Sequence, residues 1–438
     1  QAAQPLKFGH HGSRFFLSLG QLQHLDLAAP HGIQCFPGTS GGLLRSSGPE
    51  GAYDWRGADA VLLVNDDATV GGWSRLATAI AQAREQRDHP VLTLDAGDFL
   101  MGSAFHMVAR EEALELGLLK AMGYDAVCLG NHEFDLMPDG LARILATADA
   151  RGALPPVLHA SAVFSAEDPG DDSLQRAFGA GLVKPYTIIE RGGLRFGLFG
   201  LLGADAAEVA PFASPVEFRG AVEVARELVP LLREREKVDL VICLSHCGLH
   251  AVDADKSEDV LLAREVPGID VIVGGHTHTR LEKPIVEGGT IIVQAWEYGR
   301  QLGVLDLSVE NGKVSLAAWR TLALDDSIRG DPVIQSRIES YKRVVDQEVF
   351  APHGLAYDQV LAETAFDLKG AEAENGLGNV VTDAIRWYVD RDDWEWVDPA
   401  DPARRVGRVT LAVESGGIIR DNLLKGSSGR LTTADLFR

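Results

Sequence analysis

Four apolar segments of this chain end in side chains that a buried core does not favour. The residues that follow these segments are Asp98, Asn131, His132, His246, His276 and His278. In open α/β sheets, the carboxyl ends of the strands meet at one edge, and ligands bind there. Carboxylate, amide and imidazole groups together suit zinc, manganese or iron, whereas structural zinc sites depend on thiolates. The pattern therefore predicts a site for one or two divalent metal ions.

Each of these motifs has a simpler explanation when it is taken alone. A single Gly-Asn-His is usually a turn, and a single His-Thr-His is usually solvated or a core histidine with a backbone partner. Here GD, GNHE, SH and GGHTH occur in that order, each after an apolar run. Two metal ions about 4 Å apart can clamp a phosphoryl group and turn a bound water into an attacking hydroxide. The series as a whole therefore indicates metal-dependent chemistry on a phosphoryl group.

His132 and Asp135 lie three residues apart in the stretch CLGNHEFD, residues 128–135. At this spacing the carboxylate can orient the imidazole, which can then donate to an oxygen that gains charge in the transition state. A simple hydrogen-bonded turn is the alternative. We expect a catalytic pair because the metal site is expected beside it.

Short apolar runs alternate with helical patterns over most of the chain, which predicts an α/β protein with a largely buried sheet flanked by helices. Strands are expected in residues 14–19, 60–65, 90–98, 125–131, 239–246 and 270–276, and a hairpin around residues 191–193. The Gly-, Ser- and Pro-rich residues 33–52 are expected to form a loop.

A chain of 438 residues exceeds what one hydrophobic core usually serves, so two domains are expected. We predict a catalytic domain over residues 1–325, a linking helix over residues 326–352 and a C-terminal α/β domain over residues 353–438. The proline at position 332 suits the start of that helix. This last domain has fewer than about ninety residues, which is short for a domain but not impossible.

The amino-acid composition opposes several classes of binding partner. The net charge of −22 opposes a nucleic-acid ligand, because such binding needs clustered Lys and Arg. Apolar runs are shorter than the roughly 20 residues that span a bilayer, so no membrane partner is expected. Four cysteines are too few for a disulfide scaffold. Any phosphate-bearing substrate must therefore be bound by a local positive charge, such as that of metal ions.

The stretches DAGDFLMGSAF, CLGNHEFD, CLSHCG and GGHTHT, with QAWEYGRQLGVLDL after them, resemble the calcineurin-like metallophosphoesterases. LGNVVTDAIR and ESGGIIRDNL extend the resemblance to the second domain of the 5′-nucleotidase family. The resemblance covers nearly the whole chain. It implies a two-sheet, α+β-like sandwich flanked by helices, followed by a partial α/β substrate domain.

The resemblance also implies roles for individual residues. Asp98 would bridge the metal ions, and Asn131, His246 and His276 would complete one metal site. His278 would serve the other ion, and His132 with Asp135 would form the catalytic pair. Arg420, in the stretch GGIIR, would contact the substrate phosphate.

The chain departs from the family at the first metal-binding motif. The family begins with a strand that ends in Asp-x-His, and the aligned positions here hold Gln21 and Gln23. Gln is a neutral oxygen donor and binds divalent metals more weakly than a carboxylate, so this first site is expected to be weak, single-metal or empty. Possible replacements for the missing ligands are Asp66, Asp67, His10, His11 and His24.

The C-terminal part also departs from the family. Glu414 replaces the usual neutral amide, and the family's base-stacking aromatic residues have no clear counterpart. Tryptophans that could stack on a base, but more often pack or lie at the surface, are Trp387, Trp394 and Trp396. Recognition of a nucleobase is therefore not supported by the residues present.

We predict a metal-dependent phosphoric ester hydrolase that releases phosphate from nucleoside 5′-monophosphates or related nucleotides by attack of a metal-bound hydroxide. A diesterase or sulfur-bearing ester hydrolase on the same fold is one alternative, because a fold does not fix a substrate. A catalytically degenerate protein that binds metal or nucleotide is another. We expect a monomer. The resemblance favours an exported or periplasmic protein, and a cytoplasmic location stays open.

Overall fold

The computed structural model describes residues 69–250, 256–310, 312–370, 375–390, 412, 422–425 and 429–437, and the backbone of five further strands. Its contacts divide the chain into two compact units. The first comprises Gln1–Met101 and Phe105–Glu348, and the second comprises Gly102–Ala104 and Val349–Arg438. The boundaries of the predicted catalytic domain, linking helix and substrate domain stay a prediction.

The strands of the described chain are β1 Phe16–Leu19, β2 Ile33–Phe36, β3 Ala60–Leu63, β4 Leu92–Asp95, β5 Ala126–Cys128, β6 Val157–Leu158, β7 Ala162–Val163, β8 Val183–Lys184, β9 Tyr186–Arg191, β10 Leu194–Leu202, β11 Glu217–Phe218, β12 Leu240–His246, β13 Val271–Gly274, β14 Ile285–Glu287, β15 Thr290–Val293, β16 Gln301–Glu310, β17 Lys313–Ala323, β18 Val360–Glu363, β19 Val397–Asp398, β20 Asp401–Arg405 and β21 Arg430–Thr432.

The α-helices of the described chain are α1 Trp73–Glu85, α2 Ala109–Glu112, α3 Leu114–Ala121, α4 Met137–Ala150, α5 Asp172–Gly179, α6 Ala204–Glu208, α7 Ala221–Pro230, α8 Glu258–Glu265, α9 Pro332–Val345 and α10 Gly376–Val389. None of them is long and apolar enough to cross a membrane.

Two sheets form the framework of the first unit. One has seven strands in the order β17-β16-β1-β4-β5-β6-β8, and the other has six in the order β14-β15-β13-β12-β10-β9. The central pairs β4–β5, β10–β12 and β12–β13 are parallel. This arrangement confirms the α/β class and the two-sheet core. The predicted strand at 60–65 joins neither sheet, because Ala60–Leu63 pairs with Ile33–Phe36, inside a segment that was wrongly expected to be a loop.

The core of the first unit lies between the two sheets. Leu94 and Cys128 of the first sheet share a buried cluster with Leu198, Ile242 and Val273 of the second. The outer face of the second sheet packs under α7 and α8, where another buried cluster forms. Because β12 and β13 are covered on both faces, their sequences are nearly continuous apolar runs.

The central strands present their carboxyl ends to the site. β4 runs into the loop with Asp98, and β5 runs into the loop with Asn131. β12 ends at His246, and β13 ends just before His276. Both sheets therefore contribute loops to one group of polar residues.

Helix α9 begins as its sequence predicts. Asp331 precedes Pro332, and its side chain accepts hydrogen bonds from the backbone N–H groups of Val333 and Ile334. Such a cap satisfies amides that a helix start otherwise leaves without partners. Ile334 and Ile338 form part of its buried face.

The described part of the second unit has a small core. β18 pairs antiparallel with β21, and Leu377 of α10 shares a buried cluster with Leu423 and Leu431. Asn375 caps α10 by accepting a hydrogen bond from the backbone N–H of Gly378.

Candidate active site

Three residues that lie far apart in the sequence meet in the first unit. One ligand atom from each of Asp98, His246 and His276 lies within 4.8 Å of the others. Asn131 joins them, because its Oδ1 lies 3.1 Å from Nε2 of His246 and 3.2 Å from Nδ1 of His276. We call these four residues the ligand group. The structure therefore brings together the four residues that were expected to surround one metal ion.

Close approach of two loops makes this meeting possible. Gly97 has φ near 97°, and a Cβ at this position would lie 2.6 Å from the backbone nitrogen of Gly130. A Cβ on Gly130 would in turn lie 2.3 Å from Oδ1 of Asp98 and 2.7 Å from Nε2 of His246. Only glycine fits such contacts, so packing around the ligand group requires glycine at both positions.

A buried carboxylate joins the same two loops. Glu133 is 0% exposed and accepts hydrogen bonds from the backbone N–H groups of Asp98, Leu100 and Gly130 at 2.8, 3.0 and 2.6 Å. Asp98 has φ near 62°, a left-handed conformation that non-glycine residues rarely adopt. The three hydrogen bonds hold the backbone in that conformation.

Hydrogen bonds orient the two imidazoles of the ligand group. Nδ1 of His246 lies 2.7 Å from the carbonyl oxygen of Ala96, so that nitrogen carries the proton and Nε2 faces the group. Nε2 of His276 lies 3.0 Å from Oδ2 of Asp205, and Nδ1 faces the group. Each ring thus has an outer acceptor and an inner nitrogen.

Buried charges in the ligand group are coupled. Burial opposes ionisation of Asp98, but the His246 imidazole, 2.9 Å away, holds the pKa of that carboxyl below its ordinary value. Burial likewise opposes a charge on His246, yet Asp98 raises the pKa of its imidazole. Burial and the proximity of His246 lower the pKa of His276 to about 4. A neutral His276 is the form that can bind a metal.

The ligand group fits a divalent cation. When the Nε2–H group of His276 donates to Asp205, Nδ1 of His276 and Oδ1 of Asn131 are two acceptors that face each other, and a cation between them would satisfy both. One carboxylate, one amide oxygen and two imidazoles are a donor set typical of zinc, manganese or iron.

The predicted catalytic pair adjoins the ligand group. Nδ1 of His132 lies 2.7 Å from Oδ2 of Asp135, and their side chains are 13% and 15% exposed. The backbone N–H of His132 donates to Oδ1 of Asp98 at 2.9 Å. The pair is therefore fixed to the ligand group through the backbone while its side chains reach solvent.

His278 follows His276 in the same loop but contacts a different set of groups. Its Nδ1 lies 3.2 Å from Oε2 of Glu297, whose Oε1 lies 2.8 Å from Nη1 of Arg300. The ring packs edge-on against Tyr298 with centroids 5.0 Å apart. Among the described residues His278 does not join the ligand group, so its role at a second metal ion stays a prediction.

Several predicted residues fall outside the part of the chain that the structure describes. These are Gln21, Gln23, Arg420, the alternative ligands at positions 10, 11, 24, 66 and 67, and the residues at 394, 396 and 414. Trp387 is described and is 67% exposed.

Sequence reasoning missed three carboxylates of the site. Glu133 stood inside a motif, but nothing in the motif indicated that it binds the backbone. Glu297 precedes Tyr298 in a stretch that was used only for its resemblance. Asp205 lies after β10 without any sequence signal, because its partner His276 is 71 residues away.

A model of the calcineurin-like phosphoesterase family matches residues 54–280. The chain belongs to this family. This confirms the superfamily resemblance. Membership in the calcineurin-like phosphoesterase family implies divalent metal ions, which agrees with the donor set of the ligand group.

Curated relatives add detail. The chain is 29% identical over 379 residues to a trifunctional nucleotide phosphoesterase of Bacillus subtilis, and this match covers 81% of the chain and 24% of that protein. It is 28% identical over 404 residues to the 5′-nucleotidase of Bos taurus, covering 86% of the chain and 64% of that protein. The chain thus spans less than two thirds of the length of either relative.

Solved structures agree with the fold. A 5′-nucleotidase precursor from Thermus thermophilus superposes with a TM-score of 0.68 at 26% identity, covering 97% of this chain and 73% of that one. The sulfate thiohydrolase SoxB of Thermus thermophilus superposes with a TM-score of 0.61 at 21% identity, covering 86% and 68%. The second likeness concerns the fold alone. The relatives and structures confirm the resemblance to the 5′-nucleotidase family and the two-sheet fold.

Proposed function

We propose that this protein is a metal-dependent phosphoric ester hydrolase that releases phosphate from nucleoside 5′-monophosphates or related nucleotides. The observation that carries the proposal is the meeting of Asp98, Asn131, His246 and His276 around one point, with the His132–Asp135 pair beside it. The ligand group alone would indicate a metal-binding protein, and the His132–Asp135 pair alone would indicate a simple hydrogen-bonded turn. Their combination suits phosphoryl transfer.

The proposed roles follow from the geometry. The ligand group would hold a divalent cation, which neutralises charge on a phosphoryl group and acidifies a bound water. The Nδ1–H group of His132 donates to Asp135, and when the ring carries both protons its Nε2–H group can donate to a phosphoryl oxygen. The Asp135 carboxylate stabilises that charged ring and fixes its direction.

The choice of nucleotides is supported by relatives rather than by a described pocket. The bovine relative is a 5′-nucleotidase, and the Bacillus subtilis relative is a nucleotide phosphoesterase. We include in the proposal a role for His278 at a second cation, and weaker contributions from Gln21 and Gln23. Arg420 is proposed to contact the substrate phosphate.

The proposal is tested by phosphate release. The metal-free protein is incubated with a nucleoside 5′-monophosphate, with Mn²⁺ or Zn²⁺ added, and inorganic phosphate is measured. We expect phosphate release only when cation is present, and release on the order of 100-fold or more slower in the His132→Ala variant. A protein that binds cation but releases no phosphate from any tested nucleotide would instead fit the catalytically degenerate alternative.

A phosphodiester is the second candidate substrate. It is supported by the relative from Bacillus subtilis, because the name trifunctional nucleotide phosphoesterase is not restricted to monoesters. Parallel assays with a 5′-monophosphate and a cyclic nucleotide separate the two. A higher kcat/KM for the cyclic nucleotide than for the 5′-monophosphate would identify the protein as a diesterase instead of a nucleotidase.

A further inference from the structure

Asp205 lies beside the ligand group without belonging to it. Its Oδ2 is 3.0 Å from Nε2 of His276, while Nδ1 of the same ring is 3.2 Å from Oδ1 of Asn131. A neutral imidazole has one N–H and one lone pair, and the partner of one nitrogen decides which nitrogen carries the proton. A carboxylate accepts only. Asp205 therefore selects the form of His276 with the proton on Nε2.

This choice has a direct consequence for the ligand group. With the proton on Nε2, the lone pair of Nδ1 points toward Asn131 and the space that Asp98 and His246 share. With the proton on Nδ1, the ring would present an N–H there and could not bind a cation. The Asp205 carboxylate thus favours the form of His276 that can bind a metal over the form that cannot.

Asp205 is itself held in place. Glu258, the first residue of α8, accepts hydrogen bonds from the backbone N–H groups of Ala204 and Asp205 at 2.9 and 3.0 Å. These are amides at the start of the short helix α6, which otherwise have no partner within that helix. A Cβ on the preceding Gly203 would lie 2.7 Å from Oε2 of Glu258, so the turn and the carboxylate are closely packed. The turn therefore presents Asp205 in a fixed direction.

Exposure limits the size of the effect. The side chain of Asp205 is 69% exposed, so water competes for its hydrogen bonds. Outer carboxylates of metal sites typically change metal affinity by about 10- to 100-fold. For an exposed carboxylate we expect the lower end of that range.

We propose that Asp205 is a positioning residue that fixes the proton of His276 on Nε2, so that Nδ1 faces the cation. This inference rests on the proposed function in one respect, namely that His276 is a metal ligand. It assigns no contact between Asp205 and substrate.

Zinc affinity provides the first test. The affinity of the metal-free protein for Zn²⁺ is measured by competition with a chromophoric chelator for the wild type, Asp205→Ala and Asp205→Asn. We expect binding about 10-fold weaker in Asp205→Ala, and partial recovery in Asp205→Asn, because the amide oxygen can still accept from Nε2. Glu208→Gln is the matched control, because Glu208 is an exposed carboxylate on the same helix. It should bind Zn²⁺ like the wild type.

The proton position provides a test that needs no metal. In NMR spectra of the metal-free protein with ¹⁵N-labelled histidine, the chemical shifts of the ring nitrogens show which nitrogen of His276 carries the proton. We expect an Nε2–H ring in the wild type and a mixture of both forms in Asp205→Ala. An Nε2–H ring that persists unchanged in Asp205→Ala would overturn the inference.

His276→Ala separates this inference from the function on which it rests. If His276→Ala weakens Zn²⁺ binding and Asp205→Ala does not, the inference fails and the proposed function stands. If His276→Ala itself leaves Zn²⁺ affinity unchanged, His276 is not a ligand, and both the metal assignment and the inference are refuted.

Discussion

Replacement of Glu133 by Gln should loosen both loops that carry the ligand group. The carboxylate is fully buried, and its two oxygens accept three backbone hydrogen bonds: Oε2 from Asp98 and Gly130, and Oε1 from Leu100. A Gln side chain has a single acceptor oxygen. If that oxygen takes the position of Oε2, the NH₂ group faces the N–H of Leu100, and one buried donor loses its partner.

The magnitude follows from that lost partner. A buried donor without a hydrogen bond costs about 1–3 kcal/mol. Burial and the neighbouring Asp98 raise the pKa of Glu133 to about 7, so the wild type itself carries a proton there at lower pH. Ionisation of a carboxyl group with a raised pKa costs folding free energy, so above about pH 7 this cost offsets part of the difference between the wild type and Glu133→Gln. At about pH 6, where this cost is largely absent, the loops should open about 5- to 150-fold more often in Glu133→Gln than in the wild type, which is the range of about 1–3 kcal/mol expressed as an equilibrium ratio.

Hydrogen–deuterium exchange of peptides covering residues 97–100 and 128–133 measures this opening. Glu85→Gln is the control, because Glu85 is exposed on α1 and the substitution makes the same chemical change. Unchanged protection of these loops in Glu133→Gln at about pH 6, in a folded protein, would show that Glu133 does not hold them. Faster exchange throughout the protein would instead indicate global destabilisation.

Three further outcomes are expected. His132→Ala should lower turnover on the order of 100-fold or more with unchanged metal content, and steady-state kinetics with metal analysis checks both. Gly130→Ala should lose the cation, because its Cβ would lie 2.3 Å from Oδ1 of Asp98; elemental analysis of the folded protein measures this. Burial raises the pKa of Glu115 to about 7. The folded state then binds more protons than the unfolded state between the ordinary value of 4.5 and about 7, and stability falls as the pH rises through that window. Glu115→Gln removes this loss, so its unfolding free energy should exceed that of the wild type at pH 8 by up to about 3 kcal/mol and should match it near pH 4. Denaturant titration at both pH values checks this.

The framework and the ligand group could be predicted because both depend on local patterns. Apolar runs of strand length predict buried strands, and parallel strands bring their carboxyl ends to one edge. Asp98, Asn131, His246 and His276 all follow or end such runs, so their meeting needed no knowledge of side-chain contacts. The start of α9 was predictable for the same reason, since Asp331 and Pro332 are adjacent.

The supporting residues could not be predicted because their partners are distant in sequence. Asp205 reaches His276 only because β10 and β13 flank β12 in the same sheet. Strand order depends on long-range pairing, which a local pattern does not encode. The same limit applies to the antiparallel pair of β2 and β3, which places a strand in a segment that local composition had assigned to a loop.

From the charges around the site we expect that a divalent cation is needed for phosphate binding as well as for turnover. Asp98, Glu133, Asp135, Asp205 and Glu297 place five carboxyl groups in or next to the candidate site. Within the described residues Arg300 contacts one of them and is thereby partly neutralised. A phosphate dianion near so many carboxylates is repelled unless a cation reverses the local charge. Inorganic phosphate should therefore bind to the Zn²⁺-loaded protein in a calorimetric titration and should not bind after the cation is removed by a chelator. Undiminished phosphate affinity in the metal-free protein would show that side-chain cations, such as Arg420, suffice to hold the anion.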